Sequence, residues 1–287
     1  MSGSYWRQVQ AEGLAVPTDR PLDDLTAELT RMLGDPDPGL RDGIAVPTLS
    51  EWISRGVYDD LLGGLGDGLA TGLSTGLGGR ADDTVFRRAQ SALVLGRCIA
   101  RDNQRPLVPG GKVLEWGDRL ATWLLREQDL RAFVPGRGWA RAVACGADAL
   151  GTLARSPHLS SPELTVVLDV VADRVLEPVE EQFTHGELDL LAGATLEVLR
   201  RDVLPLGVVE PWVARVASAA GTLASYDDTD PYLVSGNAES FLRALYLQLS
   251  LAAYPPALRS DLLLVLVEAL RATNAQFLRA DYLRPVH

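Results

Sequence analysis

Residues 84–99, TVFRRAQSALVLGRCI, set Val85, Ala89, Ala92, Leu93 and Gly96 at spacings of three and four. That interval stacks side chains on one face of a helix, whereas a half-buried strand alternates every second residue. The segment 111–125 repeats the pattern with Val113, Trp116, Leu120, Trp123 and Leu124. Outward from these two rods the same periodicity predicts helices over 139–153, 161–175, 187–200, 211–223, 237–252 and 256–272. Proline in a first turn supports the starts at Ser161-Pro162-Glu163 and at Pro211. The β-branched pairs Val166-Val167 and Val170-Val171 fall inside helical patterns, and no run alternates as strands do. Asp35 to Asp42 reads as a turn opening the helix Ile44 to Ile53, which Pro47 would kink. The expected fold is all-α: an irregular solenoid of HEAT-like stacked antiparallel helix pairs. One domain is expected over 21–287, preceded by an N-terminal segment 1–20, with a weak boundary at 155–161.

The chain has 287 residues, 47% hydrophobic and 23% charged, enough to bury a core without a staple. Its two cysteines, Cys98 and Cys145, exclude a disulfide framework. A formal charge of −11 opposes the counterion displacement on which nucleic-acid binding depends. No apolar run reaches the ~20 residues of a membrane span, and 1–17 lacks a signal-peptide core, so a cytoplasmic protein is expected. Lys112 is the single lysine, an arginine bias that matches a GC-rich coding sequence.

The stretch 61–80, LLGGLGDGLATGLSTGLGGR, repeats leucine every four residues from Leu61 to Leu77 and glycine every four from Gly64 to Gly76. It reads as one helix with a leucine stripe beside a glycine stripe. Eight glycines in 20 positions make it unstable alone, since each costs about 0.5–1 kcal/mol against alanine. Close packing by a neighbour is the favoured reading, and a mobile lid the other. No Gly-Lys-Ser/Thr follows that would make a phosphate loop.

Polar residues concentrate between Glu127 and Asp148, with Pro135 to Gly138 as a turn and Trp139 opening a helix. Arg141, Cys145 and Asp148 then share a face. A guanidinium beside Cys145 would favour thiolate, the form a nucleophile requires, although no histidine lies near in sequence as a base. The alternative is a small buried packing residue. Cys145, Asp148 and Asp129 are the weak catalytic candidates. A cleft on the concave side of the stack is expected to be lined by Trp52, Asp83, Arg88, Asp129, Arg131, Trp139, Arg141, Cys145 and Asp148. Against it stands a structural reading in which Asp83–Arg88 and Asp129–Arg131 tie helix ends together. Trp116 and Trp123 share a face and read as core, while His158, His185 and His287 read as surface residues. The run Asp227-Asp228-Thr229-Asp230-Pro231 is one residue short of an Asp-Asp-x-x-Asp motif and reads as a solvated turn.

Asp83 to Arg88, Glu127 to Arg131, Gly138 to Arg141 and Gly146 to Asp148 resemble the domain-of-unknown-function family 2785. Arg41 to Ala45 and Phe241 to Tyr246 extend the similarity over roughly 20–270. The resemblance implies a bacterial, all-α protein with no assigned activity. It also implies histidine as the usual residue at positions 141 and 145, four apart on a helix with Asp148 beyond. Arginine and cysteine stand there instead, so neither a metal nor a cofactor is expected.

These readings lead to a small-molecule binding protein, in its catalytic form a cofactor-independent enzyme of bacterial specialised metabolism. The alternative is a helical-repeat scaffold for a protein partner. A helical-repeat DNA glycosylase is disfavoured by the acidic charge, and neither nucleic acid nor membrane is an expected partner.

Overall fold

A computed structural model describes residues 2–221, 230, 232–274 and 278 of the chain. The chain divides into two compact units, Met1–His158 and Leu159–His287, with the division inside the 155–161 stretch noted in the sequence.

In the first unit α1 (Ser2–Ala11) lies on the chain's early helices, so the N-terminal segment is part of the core. Trp6 is fully buried beside Trp52, with ring centroids 6.1 Å apart, and Trp52 tilts against Tyr58 at 6.4 Å. Then come α2 (Leu22–Met32), the short α3 (Pro38–Leu40) and a π-helical turn over Arg41–Ala45. That turn runs directly into α4 (Val46–Ser54), whose second residue is Pro47. The Val46 amide donates to the Arg41 carbonyl across that turn, and Pro47, one residue on, has no amide N–H to give.

The glycine-rich stretch is helical only over α5 (Leu62–Gly72); turns follow to residue 78. Leu65, Leu69 and Leu73 of the stripe are buried, whereas Leu61 is exposed and Leu77 only half-buried. The glycines divide by environment. A Cβ at Gly66 would overlap the Trp116 indole, whereas Gly64 and Gly68 face open space. The helix ends at Gly72 with Leu73 as its cap, and Gly76, at φ +60°, lies in the turns beyond.

The long α6 (Thr84–Gln104) is the unit's axis, packing along α4, α5 and α8 (Ala142–Ala154). In chain order α7 (Gly110–Arg126) follows α6; it packs on α8 and α5 and buries Trp116 and Trp123 as its periodicity predicts. A two-residue hairpin, β1 (Phe133–Val134) against β2 (Gly138–Trp139), precedes α8. Trp139 therefore belongs to β2 and not to a helix. Arg141, at φ +55°, breaks the backbone between them, and α8 begins at Ala142.

The second unit holds α9 (Ser161–Leu176), α10 (Glu187–Leu199), α11 (Leu206–Ala220), α12 (Tyr232–Leu251) and α13 (Arg259–Thr273). Trp212 seals its interior, edge-on to Phe241 at 5.9 Å, its indole N–H donating to the Leu168 carbonyl at 2.8 Å. Two starts differ from the sequence reading. Pro211 lies inside α11. Asn237 lies inside α12, where its Oδ1 accepts from the Phe183 amide at 3.0 Å. Both residues are turn formers that tertiary contacts place in helices. His287 and 222–229, with most of the aspartate run, lie outside the described residues.

Candidate functional site

All nine residues of the expected cleft lie in the first unit, where they fall into three separate settings. Trp52 is core. It has no exposed surface, and its indole N–H donates to the Leu14 carbonyl at 2.8 Å, so it walls no cleft.

Arg88 heads the second setting. Its Nε and Nη2 donate to the two Glu127 carboxylate oxygens at 2.5 and 2.8 Å, and both side chains are fully buried. Its Nη1 donates to the carbonyls of Thr75 and Gly76 and to the Thr84 hydroxyl. With every nitrogen engaged, Arg88 clamps the turn after α5 to α6 and to the exit of α7. Glu127 further accepts from the Trp123 indole at 2.8 Å and the Asp129 amide at 3.0 Å. Buried Asp129 in turn holds Arg131 in a fork, at 2.7 Å from Nε and 2.6 Å from Nη2. Asp83 does not pair with Arg88; it meets Arg137 at 3.4 Å, both half-exposed. Of the two structural pairs expected, Asp129–Arg131 is present and Asp83–Arg88 is replaced by Arg88–Glu127.

The third setting surrounds the start of α8. The Arg141 guanidinium sits 5.6 Å from the Trp139 ring centroid, and Trp139 rests edge-on against Phe133 at 5.1 Å. Asp148 approaches Arg97 at 3.4 Å. The Cys145 thiol is buried, and burial pushes its pKa up to about 12 even though Arg141 acts the other way. Desolvation therefore outweighs the neighbouring cation, and the residue is a protonated packing thiol, not a nucleophile. Behind it Arg41, fully buried, forks onto Asp42 at 3.0 and 2.8 Å and lies 4.0 Å over the Phe86 ring. Its Nη2 also donates to the Arg137 carbonyl at 2.8 Å, fastening the hairpin to the π-helical turn.

His158 is no bare surface residue. Its Nε2 lies 3.2 Å from Oδ2 of the fully buried Asp102, which also accepts from the amides of Leu107 and Val108. Among the described residues no three His, Cys, Asp or Glu side chains converge as metal ligands.

An open pocket of about 630 Å³ lies where the C-terminal half of α2, the turn after α5 and the first turn of α6 meet. Ala27, Thr30, Arg31, Gly34, Thr75, Asp83, Thr84 and Arg87 line it, so Asp83 is the one cleft residue it contains. The clamp of Arg88, Glu127 and Thr84 holds two of its walls together. Arg87 was hidden in the sequence because Asp83 precedes it by four residues, the spacing of an ordinary helical ion pair. In the structure Arg137 takes Asp83 instead. In the second unit a smaller pocket of about 330 Å³ lies between Phe183–Asp189 and α12.

No curated protein and no solved structure matches the chain. No helix among the described residues is long and apolar enough to cross a membrane. Residues 73–247 match a family described as proteins of unknown function, DUF2785, a shorter span than the 20–270 of the resemblance. That span runs from the turn after α5 through Arg88, Glu127 and the hairpin into α12, and by it the chain belongs to the DUF2785 family.

Proposed function

We propose that the chain is a small-molecule binding protein whose ligand enters the pocket between α2, the turn after α5 and the start of α6. The observation that carries the reading is the pocket itself. Its volume of about 630 Å³ lies within the range of ligand sites, and Thr30, Thr75, Asp83 and Arg87 bring convergent polar groups to it. This site takes the place of the wider cleft through Trp52 and Cys145, whose side chains are occupied by core packing. A cofactor-independent enzyme of bacterial specialised metabolism is the catalytic form of the proposal, with Asp83, paired to Arg137, as the carboxylate on its lining. The cytoplasm is the compartment that two buried free cysteines favour.

A second reading, a HEAT-like scaffold for a protein partner, has its own support in the second unit. There α9 packs on α10 and α11 on α12. Leu251 and Tyr254 are 75% and 82% exposed, and Leu247 and Leu264 are also exposed.

The test is a thermal-shift screen of the full chain against a metabolite library, beside Ala27→Trp, which fills the pocket mouth from the exposed side of α2. Compounds that raise the melting temperature of the parent and not of A27W support the pocket. Equal responses from both proteins remove it and leave the scaffold.

A further inference from the structure

Arg87 and Arg88 are neighbours on α6 with opposite fates. Arg88 uses every nitrogen, whereas the Arg87 guanidinium makes no hydrogen bond and no ion pair among the described residues. Its side chain is half-buried, and that partial burial lowers its pKa. Two glycines build this berth. The Arg87 stem crosses Gly34, where an added Cβ would come within 3.1 Å of it. At Gly72 an added Cβ would lie 3.2 Å from Arg87 Nε and would overlap the Ser91 hydroxyl. The side chain is thus held in a slot with its donors unspent. Arginine does not shed its proton at physiological pH, so a guanidinium held in this slot at the pocket wall presents a fixed positive charge with free donors. Asp83 does not supply it, being engaged by Arg137. Two further donors line the same pocket without a side-chain partner among the described residues: the Arg31 guanidinium, exposed at the rim, and the Thr75 hydroxyl.

We propose that this pocket is an anion site, in which Arg87 forms a fork with a carboxylate or phosphate group of the ligand while Arg31 and Thr75 complete its contacts. Guanidinium geometry matches both oxyanions, and Asp83 on the same lining disfavours a second negative group on the ligand. The inference rests on the pocket reading above and deepens it by naming the ligand's chemistry.

The experiment titrates the full chain by calorimetry with inorganic phosphate, acetate and, as a neutral probe, glycerol. The proteins are the parent, Arg87→Met, Arg87→Lys and, as a control on a distant exposed arginine, Arg119→Gln. Binding of phosphate or acetate by the parent is expected, weakened at least tenfold in R87M, less in R87K and not in R119Q; whichever anion binds identifies the source of charge. In the absence of anion R87M is expected to melt no lower than the parent, because the half-buried guanidinium has no partner to lose among the described residues. An arginine with a merely structural role would lower the melting temperature instead. Anion binding unchanged in R87M, or no binding of either anion by the parent, overturns the inference. If neutral library compounds are nevertheless lost in A27W, the pocket survives without its anion; if A27W changes nothing, the pocket itself falls.

Discussion

The Arg88 guanidinium meets both carboxylate oxygens of Glu127, 39 residues away in sequence, with neither side chain exposed. This buried pair, with its backbone acceptors at Thr75 and Gly76, is what joins three segments of the first unit around the pocket. An ion pair out of water gains little over apolar packing, but leaving one partner alone is expensive.

Accordingly, Glu127→Gln or Arg88→Met is expected to cost about 3–5 kcal/mol. The double variant R88M/E127L should recover part of that loss, because no charge is then left unpaired. Urea denaturation of the three proteins measures it. Additive losses would show that the pair is not a coupled unit.

The glycines of α5 separate by what they face. Gly66→Ala drives a Cβ into the Trp116 ring, and a cost of about 1–3 kcal/mol is expected from overpacking. Gly64→Ala points into open space inside a helix and should stabilise by about 0.5–1 kcal/mol. Opposite signs in a denaturation experiment would assign the stripe to packing at one position and to plain helix propensity at the other.

The two cysteines make a pH prediction. Burial raises the thiol pKa of Cys145 from an ordinary value near 9 to about 12, and Cys98 shifts the same way. The folded state therefore keeps these protons after the unfolded state has released them. The stability this gives is complete below pH 9 and is lost as the pH climbs from 9 towards 12. Cys145→Ala should flatten part of that alkaline decline. In native protein at pH 8 both thiols should resist a disulfide reagent and react fully in urea. Rapid native labelling of Cys145 would show that it is an accessible nucleophile after all.

The helical fold was legible because the apolar spacing around Val85, Leu120 and Trp123 has no other interpretation at that length. Boundaries were harder. Trp139 extends the spacing of α8 backwards, and only the left-handed backbone at Arg141 and the pairing of Phe133 with Trp139 place it in a hairpin. The leucine repeat of 61–80 ran past the true end of α5 because periodicity does not register the turn at Gly76. Within the site, Asp129–Arg131 was readable as near neighbours, while Arg88–Glu127 needed a fold to bring distant segments together. Trp52 looked like a pocket wall because aromatic residues serve equally in cores. Arg87 left no trace, since it has an acid at the correct spacing whose charge is used elsewhere.

A crystal of the full chain soaked with an anionic compound from the screen tests the central claim most directly. The account predicts an oxyanion in hydrogen-bonding contact with the Arg87 guanidinium, within reach of Arg31 and Thr75. An oxyanion bound elsewhere, with Arg87 turned away to a protein carboxylate, would contradict it.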